Sequence, residues 1–317
     1  MKKAIAWSVT LFLNLVIIFA VVSRASSQSS SGDERVFPTG FVVRGEFLNF
    51  FDQHGGIETF GYPLTVSFKE GGALVQYFQR GRIELHPEDP PQQRVVMGPL
   101  GELLTTPEPP AAELAPHPDR RFFPETGHTV ASAFLHYFDE RGGIDFFGYP
   151  ITEMVVENGR IVQYFERARL EWHPDNPRIL RVQLGRLGEI CLDQFPPPQE
   201  ALDPSSSGSR IVLPEVTSLN VTASVSHPFA GQNQLQMLYV FVYDQTGTQL
   251  FGAKVSAVIH FPDGDRQIAL TETNESGLSW QSFDVGQVPV GETVSIEVRV
   301  SYAGVERTTQ TSFLVWL

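Results

Sequence analysis

The feature that most constrains this chain is an internal duplication. Gly40 aligns with Gly127, and the register holds without a gap to the pair Leu104 and Cys191, with about half of the positions identical. Self-similarity at a fixed offset means that one supersecondary unit is used twice. The first copy carries Phe51-Asp52, Gly55-Gly56-Ile57, Phe60-Gly61-Tyr62-Pro63, Val75-Gln76-Tyr77-Phe78, Arg80, Arg82, Glu84 and His86-Pro87. The second repeats these as Phe138-Asp139, Gly142-Gly143-Ile144, Phe147-Gly148-Tyr149-Pro150, Val162-Gln163-Tyr164-Phe165, Arg167, Arg169, Glu171 and His173-Pro174. Each copy closes on a Gly-x-Leu-Gly-Glu element, Gly98 to Glu102 and Gly185 to Glu189.

Each copy has the same local grammar. Thr126 before Gly127 suits a helix cap, and Val130, Phe134, Leu135 and Phe138 then share one helical face, as do Val43, Phe47, Leu48 and Phe51. The glycine pairs 55–56 and 142–143 end that helix, because glycine takes the left-handed conformation freely. The residue before a proline avoids the helical region, so Phe147-Gly148-Tyr149-Pro150 is a turn. Arg160 to Phe165 and Arg169 to His173 then predict two strands around Glu166-Arg167-Ala168, with Gly81 in the matching turn of the first copy. Pro174 and Pro87 close the second strand. The expected unit is a short helix plus a β-hairpin, an α+β tandem repeat. A unit of about 65 residues without a disulfide has a small core, so the two copies are expected to lean on each other.

The region from Phe37 to Glu189 resembles the LGFP repeat, a module of bacterial cell-envelope proteins associated with attachment to the wall. The resemblance rests on Gly142-Gly143, Phe147-Gly148-Tyr149-Pro150, Gln163-Tyr164-Phe165-Glu166, Leu170-Glu171-Trp172 and their first-copy partners. The chain departs from that family in three ways: the copies are further apart, a Phe precedes the turn glycine, and Arg167-Ala168-Arg169 stands where glycines are usual. The resemblance implies a role at the cell wall and assigns no ligand-contacting residue here.

The last third changes character. Leu238 to Val242, Lys254 to Phe261, Arg266 to Thr273, Val294 to Tyr302 and Thr308 to Val315 are rich in Val, Ile, Thr and Phe, and Val294 to Ser301 alternates dry and wet. Turn signals fall at Thr246-Gly247, Pro262-Asp263-Gly264, Asn274-Glu275-Ser276-Gly277 and Ala303-Gly304. About seven short strands at this spacing predict an all-β antiparallel sandwich. Gly252 to Val255 and Thr271 to Gly277 resemble bacterial immunoglobulin-like surface domains.

The N-terminus supplies the address. Lys2 and Lys3 precede an apolar run from Ala4 to Val22, and small residues at Ser23 and Ala25 allow a cut after Ala25. The run also approaches the length of a membrane span, so residues 1–25 are a signal peptide or an uncleaved anchor. Either way the rest is expected outside the cytoplasm. The organisation that follows is a flexible segment 26–36, a first module 37–104, a linker 105–120, a second module 121–195, a Pro/Ser linker 196–210 and a sandwich 211–317. A net charge of −13 argues against nucleic acid and against an anionic membrane surface, both of which call for Lys and Arg. The single cysteine, Cys191, makes no intrachain disulfide and reads as a buried small hydrophobe.

Chemistry concentrates on two matching strands. Arg82, Glu84 and His86 share a face by strand alternation, as do Arg169, Glu171 and His173. They form either a groove for an acidic sugar, which the arginine fork would hold, or an ion-pair network fixing the hairpin. Trp172 stands where the first copy has Leu85, the one asymmetry that could present a stacking platform. The other aromatics, Tyr62, Tyr77, Phe78, Tyr149, Tyr164 and Phe165, are expected in the core. Glu84 and Glu171 could act as a glycosidase pair only if the two copies set them face to face. Glu84 with His86 falls short of a metal site, and Asp263-Gly264-Asp265 reads as a solvated turn. No catalytic motif or cofactor fingerprint occurs, and none is expected to be used. The expected function is an exported, non-catalytic surface protein binding cell-wall or other glycan. A spacer without a saturable ligand and a glycan hydrolase are the alternatives.

Overall fold

The computed structural model describes residues 34–112, 115–208 and 215–316. The leader therefore lies outside the described residues. The architecture is mostly β with few helices. Among the described residues, no helix is long and apolar enough to cross a membrane.

The first module opens with a hairpin of β1 (Glu34–Val36) and β2 (Val42–Arg44), then α1 (Gly45–Gln53) and α2 (Gly56–Phe60). A four-stranded antiparallel meander follows: β3 (Phe68–Glu70), β4 (Ala73–Tyr77), β5 (Arg82–Leu85) and β6 (Val95–Met97), closed by α3 (Leu100–Leu104). The second module follows the same order. It has β7 (Arg120–Phe123), β8 (His128–Ala131), α4 (Ser132–Glu140) and α5 (Gly143–Phe147). Its meander is β9 (Val155–Glu157), β10 (Arg160–Tyr164), β11 (Arg169–Trp172) and β12 (Val182–Leu184), closed by α6 (Leu187–Gln194).

Four local expectations are corrected. Val43 and Val130 sit on strands, so each helix begins later than its apolar spacing implies. Thr126 and Gly127 instead form the β7–β8 turn, where Gly127 N–H donates to the Phe123 carbonyl (2.7 Å). The flexible stretch does not extend to 36: Val36 pairs with Val42, and Arg35 grips both carboxylate oxygens of Asp52 at 2.7 and 2.8 Å. Finally, the hairpin is the centre of a four-stranded sheet, because three-residue strands β9 and β12 flank it.

The modules pack reciprocally. Helix α2 lies against β12 of the other module, and α5 lies against β6. Gly101 of α3 abuts the backbone of Phe165, and a Cβ there would overlap that carbonyl oxygen. Gly188 of α6 makes the same approach to the carbonyl of Phe78. Close backbone approach of this kind is open only to glycine. Glu102 N–H donates to the Glu166 carbonyl (3.0 Å), and Glu189 N–H to that of Gln79 (3.2 Å). Leu100, Leu187, Val75, Val162 and Cys191 fill a core shared by both modules. A larger core joins Phe51, Phe60 and Phe78 to Phe138, Phe147 and Phe165. Each Gly-x-Leu-Gly-Glu element thus supplies the helix that seats against the other module.

The segments between modules are tied down. Glu108 N–H donates to the Ile151 carbonyl (2.9 Å), and Ala111 N–H to Gly127 (2.9 Å). In the Pro/Ser segment, Ala201 is buried against Phe41 and Val66, and Val66 N–H donates to its carbonyl (2.9 Å).

The C-terminal part is a two-sheet sandwich. One sheet has the order β13 (Asn220–Val225), β15 (Leu235–Tyr243), β18 (Leu278–Asp284). The other runs β14 (Phe229–Ala230), β20 (Val305–Val315), β19 (Thr293–Tyr302), β16 (Lys254–Phe261), β17 (Gly264–Ala269). Val294, Ile296, Val298 and Val300 are fully buried between them, as their alternation requires. Pairing is antiparallel except for β14, which runs parallel to the end of β20.

Candidate functional site

The Arg-Glu-His strands form closed networks. In the first module, Arg82 donates to Glu70 (2.6 Å), to the Tyr77 hydroxyl (2.8 Å) and to Glu84, whose other oxygen lies 2.9 Å from His86 Nε2. In the second, Arg169 donates to the Tyr164 hydroxyl (3.0 Å) and to Glu171, and His173 Nε2 lies 3.1 Å from Glu171. The glycine that opens each Gly-x-Leu-Gly-Glu element covers its network: a Cβ at Gly98 would strike Glu84 and Arg82, and one at Gly185 would strike Arg169 and Glu171. Glu84 and Glu171 are both buried.

The two networks differ in what lies beside them. Glu171, Trp172 and His173 line a cleft of about 380 Å³, whereas Arg169 stays within the network. Arg82, Glu84 and His86 are not part of this cleft. Its far wall comes from the sandwich, through Asn274, Glu275 and Trp280, and Arg80 reaches it from the first module. Trp172 and Trp280 are both partly exposed there, and the Arg181 guanidinium sits 5.9 Å from the Trp172 ring centre. Of the remaining core aromatics, Tyr62, Tyr77, Phe78, Tyr164 and Phe165 are buried, and Tyr149 is half-buried.

A buried charge cluster welds this three-part junction. Arg80, 4% exposed, donates to the Glu58 carbonyl (2.7 Å) and lies 3.8 Å from Glu275. Glu275, itself 5% exposed, also accepts from Arg186 and from Gln79 (3.5 Å). Burial would raise the Glu275 carboxyl, but its own backbone N–H and the two arginines outweigh that and hold it low. Tyr62 and Tyr239 add contacts across the junction, their hydroxyls donating to Gln249 (2.9 Å) and Asp175 (3.4 Å) carbonyls.

Glu171 is held from its ordinary 4.5 down to about 2. Burial opposes this, and the hydrogen bond from His173 with the charge and hydrogen bond of Arg169 overcomes it. A carboxyl lowered on folding binds its proton more tightly in the unfolded chain, so it stabilises the fold above pH 4.5 and loses that contribution as pH falls toward 2. Urea midpoints are expected to hold level above that window and drop within it. Glu171→Gln should flatten the slope.

Sequence reasoning found Glu171, Trp172 and His173, singled out Arg80 in the repeated alternation but left it off the shared face, and missed Arg160, Gln183, Arg186, Glu275 and Trp280. The signal was present for several of them. At the aligned positions the first copy has Ala73 for Arg160, Val96 for Gln183 and Pro99 for Arg186, alongside Leu85 for Trp172. Four apolar positions thus become polar or aromatic in the copy that faces the cleft. A second groove, lined by Phe50, His54, Val96, Phe146 and Arg167, lies between the modules and contains no residue of the sandwich. Cys191 is buried, as a small hydrophobe would be. Among the described residues no group of His, Cys, Asp and Glu is placed to hold a metal ion.

No family model matches the chain, and no curated protein matches it. Solved structures share a similarity over about a third of it. A DUF4785 family protein from Legionella pneumophila is 15% identical over 32% of this chain and 29% of its own, with a TM-score of 0.26. The chain thus spans less than a third of that protein. The Lin-41 filamin domain is 21% identical over 29% of this chain and 90% of its own, at 0.22. The CARDB domain of a Pyrococcus furiosus protein is 14% identical over 32% and 97%, also at 0.22.

Proposed function

We propose that this is an exported, non-catalytic surface protein that binds cell-wall or other extracellular glycan in the cleft between its second module and its sandwich. In this reading residues 37–104 and 121–195 are two LGFP-like modules, and residues 211–317 are an immunoglobulin-like domain. The leader delivers them outside the cytoplasm, either cleaved or kept as an anchor. The observation that carries the reading is the cleft itself, where Trp172 and Trp280 stand partly exposed beside a rim of arginines and amides. Indole faces stack on the apolar face of a pyranose, and polar neighbours orient its hydroxyls. In the hydrolase alternative Glu171, lowered and held by Arg169 and His173, could serve only as the ionised carboxylate and not as the general acid.

Retention on purified cell wall and on a soluble glycan panel tests the proposal. Trp172→Leu, which restores the first copy's residue, is expected to weaken binding by about 10- to 100-fold, the size of an interface hot spot. Unfolding midpoints near the parent value would show that the loss is local. Turnover of a glycan without saturable retention would instead revive the hydrolase reading.

A further inference from the structure

The second module carries more positive charge beside Trp172 than its own network requires. Glu171 is held by Arg169 and His173, the same two partners that Glu84 has in Arg82 and His86. The second module adds a third, Arg160, whose Nη1 donates to Glu171 (3.2 Å) where the first copy has Ala73. The first network is complete without this cation, so the second has one to spare. The Arg160 side chain lines the cleft and is 48% exposed, and its Nε and Nη2 make no bond to the described residues.

The neighbours of Arg160 differ between the copies in the same sense. The pairing of Val162 with Glu171, continued two residues along, places Arg160 opposite His173, whose N–H donates to the Arg181 carbonyl (2.6 Å). The first copy's counterpart of Arg181 is Arg94, which lies 3.7 Å from Glu46. Ala133 takes the place of Glu46 in the second copy. Among the described residues Arg181 makes no ion pair, and its Nε donates to the Asn176 carbonyl (3.2 Å). In the loop between His173 and Arg181, Asn176 replaces Asp89 and Arg178 replaces Pro91, while Asp175 matches Glu88. Every charge difference in this row and its loop thus runs toward positive, next to the position where Leu85 became Trp172. Glu275, the other buried carboxylate of the wall, is already held by Arg80 and Arg186. Physiological salt screens the chain's net charge of −13 beyond roughly 8 Å, so local groups decide what the cleft attracts.

Resting on the glycan-binding proposal, we infer that the ligand is an acidic sugar, a pyranose whose carboxylate or phosphate oxygens accept from Arg160 while its ring lies against tryptophan. The planar fork of arginine matches such oxyanions. The test is calorimetric titration of the full chain with cellulose-type tetrasaccharides of glucose, glucuronate, glucuronate methyl ester and phosphorylated glucose. The glucuronate or the phosphorylated oligomer is expected to bind at least about tenfold tighter than glucose and the neutral ester, the size of one charge-assisted hydrogen bond. Whichever of the two binds tighter identifies the oxyanion, and the preference should shrink as salt is raised. Arg160→Ala, which restores the first copy's residue, is expected to bring the acidic oligomer down to the neutral one. Ala133→Glu, which returns to Arg181 the partner that Arg94 has, should lower the preference severalfold. Both variants should unfold near the parent midpoint, because the first copy's network stands without Arg160. A large fall for Arg160→Ala would assign that arginine to the network and count against the inference. Acidic oligomers bound no tighter than glucose, or a preference that survives both variants, would overturn it and leave glycan binding standing. Absence of binding to every oligomer and to purified wall would remove both.

Discussion

Gly188→Ala is expected to lower the stability of the whole chain by about 2–4 kcal/mol, the range of a small-to-large change at a site that cannot relax. The added methyl would occupy the position of the Phe78 carbonyl oxygen, and backbone on both sides leaves it no exit. Gly101→Ala is expected to match it, because Phe165 stands in the same relation across the module interface. Gly81→Ala supplies the contrast. Its added Cβ meets only the flexible end of Met97, and the second copy already carries Ala168 there, so a change within about 1 kcal/mol is expected. Urea denaturation of the three variants measures the difference. Similar small losses for all three would mean that the reciprocal helix seating does not hold the modules together.

Glu275→Ala should be comparably severe. It removes the countercharge of Arg80, which burial already pushes toward a lower pKa, and leaves a guanidinium in a site with almost no water. Breaking one half of a buried pair typically costs about 3–5 kcal/mol, whereas replacing both halves with apolar side chains recovers much of it. The double variant Arg80→Met with Glu275→Leu is therefore expected to be more stable than Glu275→Ala alone. A double-mutant cycle in urea reads this coupling directly. A loss below about 1 kcal/mol for Glu275→Ala would place the pair in the class of solvent-screened surface bridges.

The duplication, the aromatic core and the sandwich alternation were legible because each leaves a period in the sequence. Phe134, Leu135 and Phe138 lie on a buried helix face as their spacing demands. Val130 shares that spacing but is drawn into β8 by pairing with Arg121, a tertiary preference that periodicity does not carry. Strands β9 and β12 escaped notice because three residues cannot establish alternation. In the candidate site, Trp172 was visible as a departure from Leu85, and Gln183 and Arg186 were visible in the same way once copies are compared position by position. Glu275 was hidden for a different reason. It sits in the turn Asn274-Glu275-Ser276-Gly277, whose composition announces only a reversal of the chain. Its role arises from docking a separate domain onto Arg80 and Arg186, a relationship between distant residues that no local pattern encodes.

The crossed seating of α3 and α6 has a bearing on ancestry. Each copy holds both a glycine-bearing helix and the turn that receives one, so a lone copy contains both parts of the clasp. Two single-copy chains could therefore have closed on each other as a symmetric homodimer before gene fusion joined them. Only in a joined pair, where the two copies need not match, can tryptophan, glutamine and arginine stand on one side alone.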